Sequence, residues 1–140
     1  MKPLLLFFLL LPILAVPTVQ GANLELSQMM TGLGANTYSL GEALEAGDLS
    51  RAQVMAERIV NHPQAGPAVL KVVKATLGKE MGSFKGFDDR THLAGEALIE
   101  AAKKGDLPSA QAAFGNLAAG CAGCHQAFRA KVAAALAEAP

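Results

Sequence analysis

From Leu26 onward, the inward-type positions of the chain recur every three or four residues. Leu26, Met30, Leu33, Thr37, Leu40 and Leu44 step by four and three, the spacing of one inward face of a bundle helix. Val54, Ile59 and their neighbours carry a second helix to Asn61-His62-Pro63, where the proline stops it by steering the preceding residue out of the helical region. Gln64 to Pro67 reads as a connector, and Ala68 to Leu77 as a short helix inside the crossover. A third main helix starts near Phe84, with Phe84, Phe87, Thr91, Leu98 and Ala102 along one face. A fourth runs from Leu107 to about Leu136. No stretch alternates apolar and polar residues well enough to be a strand.

Two short segments repeat. Gly47-Asp48-Leu49-Ser50-Arg51-Ala52-Gln53 and Gly105-Asp106-Leu107-Pro108-Ser109-Ala110-Gln111 both read G-D-L-x-x-A-Q. Glycine can take the left-handed conformation that closes a helix, and aspartate can cap the free N–H groups of the next one. Pro108 fits near a helix start, where its missing N–H has no helical partner. Two such turns predict two helical hairpins. The expectation is an all-α chain, an antiparallel four-helix bundle with a short extra helix between helices 2 and 3.

The first residues have a different character. Met1-Lys2 precedes an apolar run from Pro3 to Val16, and Val19-Gln20-Gly21 puts small residues at the −3 and −1 positions of a cut before Ala22. One positive charge, about a dozen apolar residues and a small-residue junction predict a secretory signal over residues 1–21. Pro12 interrupts the run, which is short of the roughly 20 residues a membrane span needs. The mature chain is then residues 22–140, exported to the periplasm in a Gram-negative source, with no membrane span after cleavage. It holds eleven basic and twelve acidic groups, which argues against a nucleic-acid partner. Aromatic residues are only 5%, and alanine and leucine are plentiful, which favours helix over a β-sandwich.

Chemistry concentrates in the last helix. Cys121-Ala122-Gly123-Cys124-His125 is the C-x-x-C-H sequence of covalent haem attachment. Residues three and four apart share a helix face, so both thiols and the imidazole address one side. Thiols at this spacing can bond the two vinyl groups of one haem, and the adjacent histidine then reaches the iron. Ala118, Ala119, Gly120, Ala122 and Gly123 leave the surroundings almost without side chains. Three other readings compete. A redox C-x-x-C usually follows a strand at a helix N-terminus, structural zinc needs a fourth ligand from His62 or His92, and a local disulfide would need no cofactor. No pair of carboxylates, nucleophile–base arrangement or phosphate loop is visible, so the chain is not read as an enzyme.

Gly105-Asp106-Leu107, Ala112-Ala113-Phe114-Gly115 and Cys121 through Arg129 resemble the C-terminal helix of the cytochromes c′, the class II c-type cytochromes; Ser83-Phe84-Lys85 is similar too. The resemblance implies one haem c in a four-helix bundle, with His125 as proximal iron ligand. In that family the first helix supplies the residue on the other side of the iron. Met30-Thr31-Gly32-Leu33-Gly34-Ala35-Asn36 resembles the low-spin pattern, with Met30 as ligand, and Met30 also falls on the inward stripe. Met29 sits off the centre of that stripe. The arginine that many members carry one turn earlier is Leu26 here.

The resemblance also implies that Arg129 lines the proximal pocket, near a propionate. His62 reads as a capping residue, and His92 as the partner of Asp88 in an i, i+4 ion pair. The expected function is a periplasmic one-electron carrier serving redox partner proteins. The alternative is a five-coordinate haem protein that binds NO or CO, a gas sink or sensor. The family's dimers, built on the first two helices, make a homodimer a further expectation.

Overall fold

The computed structural model describes residues 19–138. Five α-helices follow one another: α1 (Val19–Glu45), α2 (Leu49–Val60), α3 (Pro67–Leu77), α4 (Met81–Lys103) and α5 (Leu107–Glu138). One 3₁₀ turn, Gly78–Glu80, joins α3 to α4. α1, α2, α4 and α5 make a four-helix bundle, and α3 is the extra helix in the crossover. Two boundaries depart from the sequence reading. α4 begins at Met81 rather than near Phe84, because Gly78, at φ +48°, turns the chain and the 3₁₀ turn leads straight into the helix. α1 begins at Val19, upstream of the expected cut before Ala22. Residues 1–18 of the expected signal segment lie outside the described residues. Among the described residues no helix is long and apolar enough to cross a membrane.

The repeated heptapeptide makes the same turn twice. Gly47 and Gly105 sit at φ +70° and +72°, where a side chain would be strained. At the first turn the Asp48 N–H donates to the Ala43 carbonyl (2.8 Å) and the Gly47 N–H to the Leu44 carbonyl (3.2 Å). At the second, Asp106 donates to Ala101 and Gly105 to Ala102, both at 3.0 Å. This paired bonding satisfies carbonyls that a helix end leaves without partners. The same aspartates then start the next helix: Asp48 accepts from the Arg51 N–H at 2.9 Å, and Asp106 from the Ser109 N–H at 3.0 Å. One residue after each glycine, the chain has reversed and begun the antiparallel partner.

Burial divides into two apolar clusters. The first joins Leu40 and Leu44 of α1, Ile59 of α2, Leu98 and Ile99 of α4, and Leu117 of α5. Leu40, Leu98 and Leu117 are fully buried, and each contributes about 2–3 kcal/mol of transfer free energy. The second cluster collects Val69, Val73 and Leu77 of α3 with Phe128, Val132 and Leu136 of α5, and Ala22 at the start of α1. Phe84 and Phe87 of α4 meet Phe128 edge-on, with ring centroids 5.5 and 6.1 Å apart. α5 reaches both clusters, as do α1 and α4.

The caps carry a measurable prediction. Asp48→Ala removes the side-chain acceptor for Arg51 and should cost about 1 kcal/mol in urea unfolding. Asp106 is held below the ordinary aspartate value of 3.8, first by the Ser109 hydroxyl and then by its backbone N–H. A depressed carboxyl stabilises the fold above its unfolded value, and that contribution is lost as pH falls through the lower folded value. Unfolding midpoints followed from about pH 6 down to about pH 2 should therefore decline less steeply for Asp106→Asn than for the parent chain.

Candidate functional site

Cys121 and Cys124 face the bundle interior near the middle of α5, as free, half-buried thiols. Cys121 packs on the first apolar cluster and Cys124 on the second, so the pair bridges the boundary between them. Burial pushes the Cys121 thiol above its usual range; it does the same to Cys124, helped by the negative charge of Asp88. A thiol used for redox exchange is tuned the other way, because the thiolate is the reacting form. His125 is exposed, beside the pair.

Small residues let α4 come close here. A Cβ on Gly120 would stand 2.3 Å from the Thr91 hydroxyl, and one on Gly123 would stand 2.5 Å from the Phe87 ring. The run of residues without bulk, read from sequence as a bed for a flat macrocycle, therefore also has a packing role against α4.

The other side of α5 faces α1, and two contacts set the register. A Cβ on Gly41 would lie 3.3 Å from the Phe114 ring. Gln111 donates from its side chain to the Leu44 carbonyl, at 3.4 Å. The helices run antiparallel, so each step back along α1 matches a step forward along α5. Continued by helix geometry alone, this register would match Thr37 to Ala118, Gly34 to Cys121 and Met30 to His125. Both rows advance by four, three and four residues, so each stays on one flank of its helix. Eleven residues are about three turns, and the drift over that stretch is only about 20°. Gly34 is exposed, and an added Cβ there would meet nothing within 4 Å. Two free thiols and an adjacent imidazole at this spacing on one helix fit a covalently held haem.

Met30 is not on the buried stripe, as its spacing had implied. It is 39% exposed, while the inward residues of α1 are Leu26, Met29, Leu33, Thr37, Leu40 and Leu44. Met29 belongs to that stripe, and Met30, one residue on, lies outside it. Met29 lines a groove with Leu33, Asn36, Arg58 and His62, toward the end of α2. Met30 lies on an exposed part of α1. Adjacent residues stand only about 100° apart on a helix, so a broad inward stripe can take in either, which is why periodicity alone could not separate the two.

Arg129 is exposed, one turn beyond His125. The expected His92–Asp88 pair is present, with Nε2 and Oδ1 3.7 Å apart. Sequence reasoning treated His62 on its own and missed its neighbour: its ring centroid lies 5.5 Å from that of His92. No local signal joins residues so far apart in the chain.

Among known families, the model described as cytochrome C′ matches residues 27–129, well over half of the chain. The match spans α2, α3 and α4 and most of α1 and α5, and includes both thiols, His125 and Met30. No curated protein matches the chain.

The thiol environment predicts slow alkylation before haem is attached. At about pH 8, iodoacetamide should label Cys121 and Cys124 more slowly in the folded chain than in the same chain unfolded in urea. The difference should narrow as pH rises past the ordinary thiol value of 9.0, as the thiolate forms in both. Mass spectrometry of timed samples gives both rates.

Proposed function

The chain belongs to the cytochrome c′ family and carries covalent haem c, and from that premise we propose that it is an exported one-electron carrier with His125 and Met30 as axial iron ligands. The observation that carries this reading is the register between α1 and α5. Carried along both helices, that register would match Met30 to His125, which supports the pairing of these two donors.

Cys121 and Cys124 would hold the group through thioether bonds, and its iron supplies a one-electron couple when bound. The protein's own residues do the rest. His125 offers a nitrogen donor and Met30 a sulfur donor, and a His/Met pair raises the potential of a haem iron. The apolar side chains of both clusters pack against the two sulfurs and half-bury them. Arg129, exposed one turn beyond His125, would meet a propionate and offset its charge. Two fixed axial donors allow little rearrangement on oxidation or reduction, which suits a carrier rather than an enzyme. Residues 1–21 would direct the chain to the periplasm, where redox proteins are its partners.

Optical spectra of the haem-loaded protein test the reading. The reduced form should show narrow low-spin bands that CO leaves unchanged. Met30→Ala should convert the iron to high spin and open it to CO, whereas Met29→Ala should leave the spectrum as it was. A parent protein that is high-spin and shifts at once under CO would overturn the carrier reading, and the gas-binding alternative would take its place. A Met29→Ala change with none at Met30→Ala would assign the ligand to the other flank.

A further inference from the structure

Pro63 stops the helix that precedes it, and the ending of α2 carries His62 to α4, against Asp88 and His92. Asp88 and His92 are one turn apart on α4 and share a face. One donor atom from each of the three residues lies within 4.8 Å of the other two. We propose that His62, Asp88 and His92 form a binding site for a divalent transition-metal ion, separate from the haem iron.

An ordinary i, i+4 ion pair accounts for Asp88 and His92 but not for the arrival of His62. Its ring is already oriented: Nδ1 lies 2.8 Å from the Pro63 carbonyl. A carbonyl can only accept, so Nδ1 carries the proton and Nε2 is left with its lone pair. Metal-bound histidines are commonly held this way, by a backbone acceptor on the other ring nitrogen. The nearby cations of α4 are turned elsewhere. Lys85 pairs with Asp89, and the Arg90 guanidinium lies 4.6 Å from the centre of the Phe87 ring. Asp88 and His92 stand 3.7 Å apart, too far for a hydrogen bond. Ligand atoms about 2.0–2.2 Å from a tetrahedral ion stand about 3.3–3.6 Å from one another. Small side-chain rotations, available because none of the three is buried, close the remaining gap.

Two imidazoles and one carboxylate suit zinc, copper, nickel or ferrous iron rather than calcium or magnesium, which prefer oxygen alone. Three protein donors leave a coordination position for water.

The test uses untagged, haem-loaded protein and zinc chloride, with affinity read by competition against a chromophoric chelator. One zinc per chain should bind, without change in the visible spectrum. His62→Gln and His92→Gln should each weaken binding by at least about tenfold, since even loss of an outer-shell partner costs about 10–100-fold. Asp88→Asn should also weaken it, and helical circular dichroism should show all three variants folded. Absence of stoichiometric zinc, or variants that bind like the parent, overturns the site. A visible spectrum altered by His62→Gln or His92→Gln would make that histidine an iron ligand and also overturn it. The zinc readout does not depend on the role of Met30, so the two proposals fail separately.

Discussion

The contact that orders the rest of the molecule is the close approach of Gly41 to the Phe114 ring. Helices are stiff rods, so fixing their relative height at one level fixes it at every other. Gln111 reaching the Leu44 carbonyl repeats the same register one turn away. Carried along both helices, that register would match Gly34 to Cys121 and Met30 to His125. A Cβ in place of Gly41 would require the Phe114 ring to give by a few tenths of an ångström. In the proposed reading, register as well as the C-x-x-C-H segment decides which residue of the first helix answers to the histidine on the last.

That dependence explains what could and could not be read from the sequence. The repeated G-D-L-x-x-A-Q turns were fully legible because every atom in them is local: a left-handed glycine, an aspartate cap and two carbonyl bonds close each turn. The thiols and His125 were legible for the same reason. The choice between Met29 and Met30 was not local. A stripe of 3.6-residue period is broad, and adjacent residues near its edge can fall on either side of the boundary, as the half-buried Met29 and the exposed Met30 do. Family likeness pointed to Met30, but its inward orientation was overstated, since the side chain is 39% exposed. The meeting of His62 with Asp88 and His92 was invisible for a related reason. It depends on where α2 ends against α4, and tertiary packing sets that.

The environment of the thiols separates two chemistries that share a C-x-x-C spacing. Thiols meant for exchange are placed where positive charge or a helix N-terminus favours the thiolate. Here the pair sits in the interior of a long helix, between apolar clusters, and Asp88 adds negative charge beside Cys124. Both influences favour the neutral thiol. Such a pair is poor at exchange but sheltered, which suits cysteines whose role is to be joined once and then remain joined.

Sheltering also has a structural consequence. Cys121 belongs to the packing of the first cluster and Cys124 to that of the second, within one turn of α5. The first cluster holds the two repeated turns close to one end of the bundle, and the second holds α3 and the start of α1 at the other. Whatever is bonded to both sulfurs is tied to both halves at once. Movement of one half relative to the other would then be felt at the site, as would any loosening of the α1 register. A group held by bonds to one helix and faced by a side chain from another therefore reports on the packing of the whole bundle. That makes the small-residue contacts of Gly120 with Thr91 and Gly123 with Phe87 part of the site, even though neither glycine offers a donor atom. They keep α4 pressed against the turn that carries the thiols, and so hold constant the surroundings of both sulfurs.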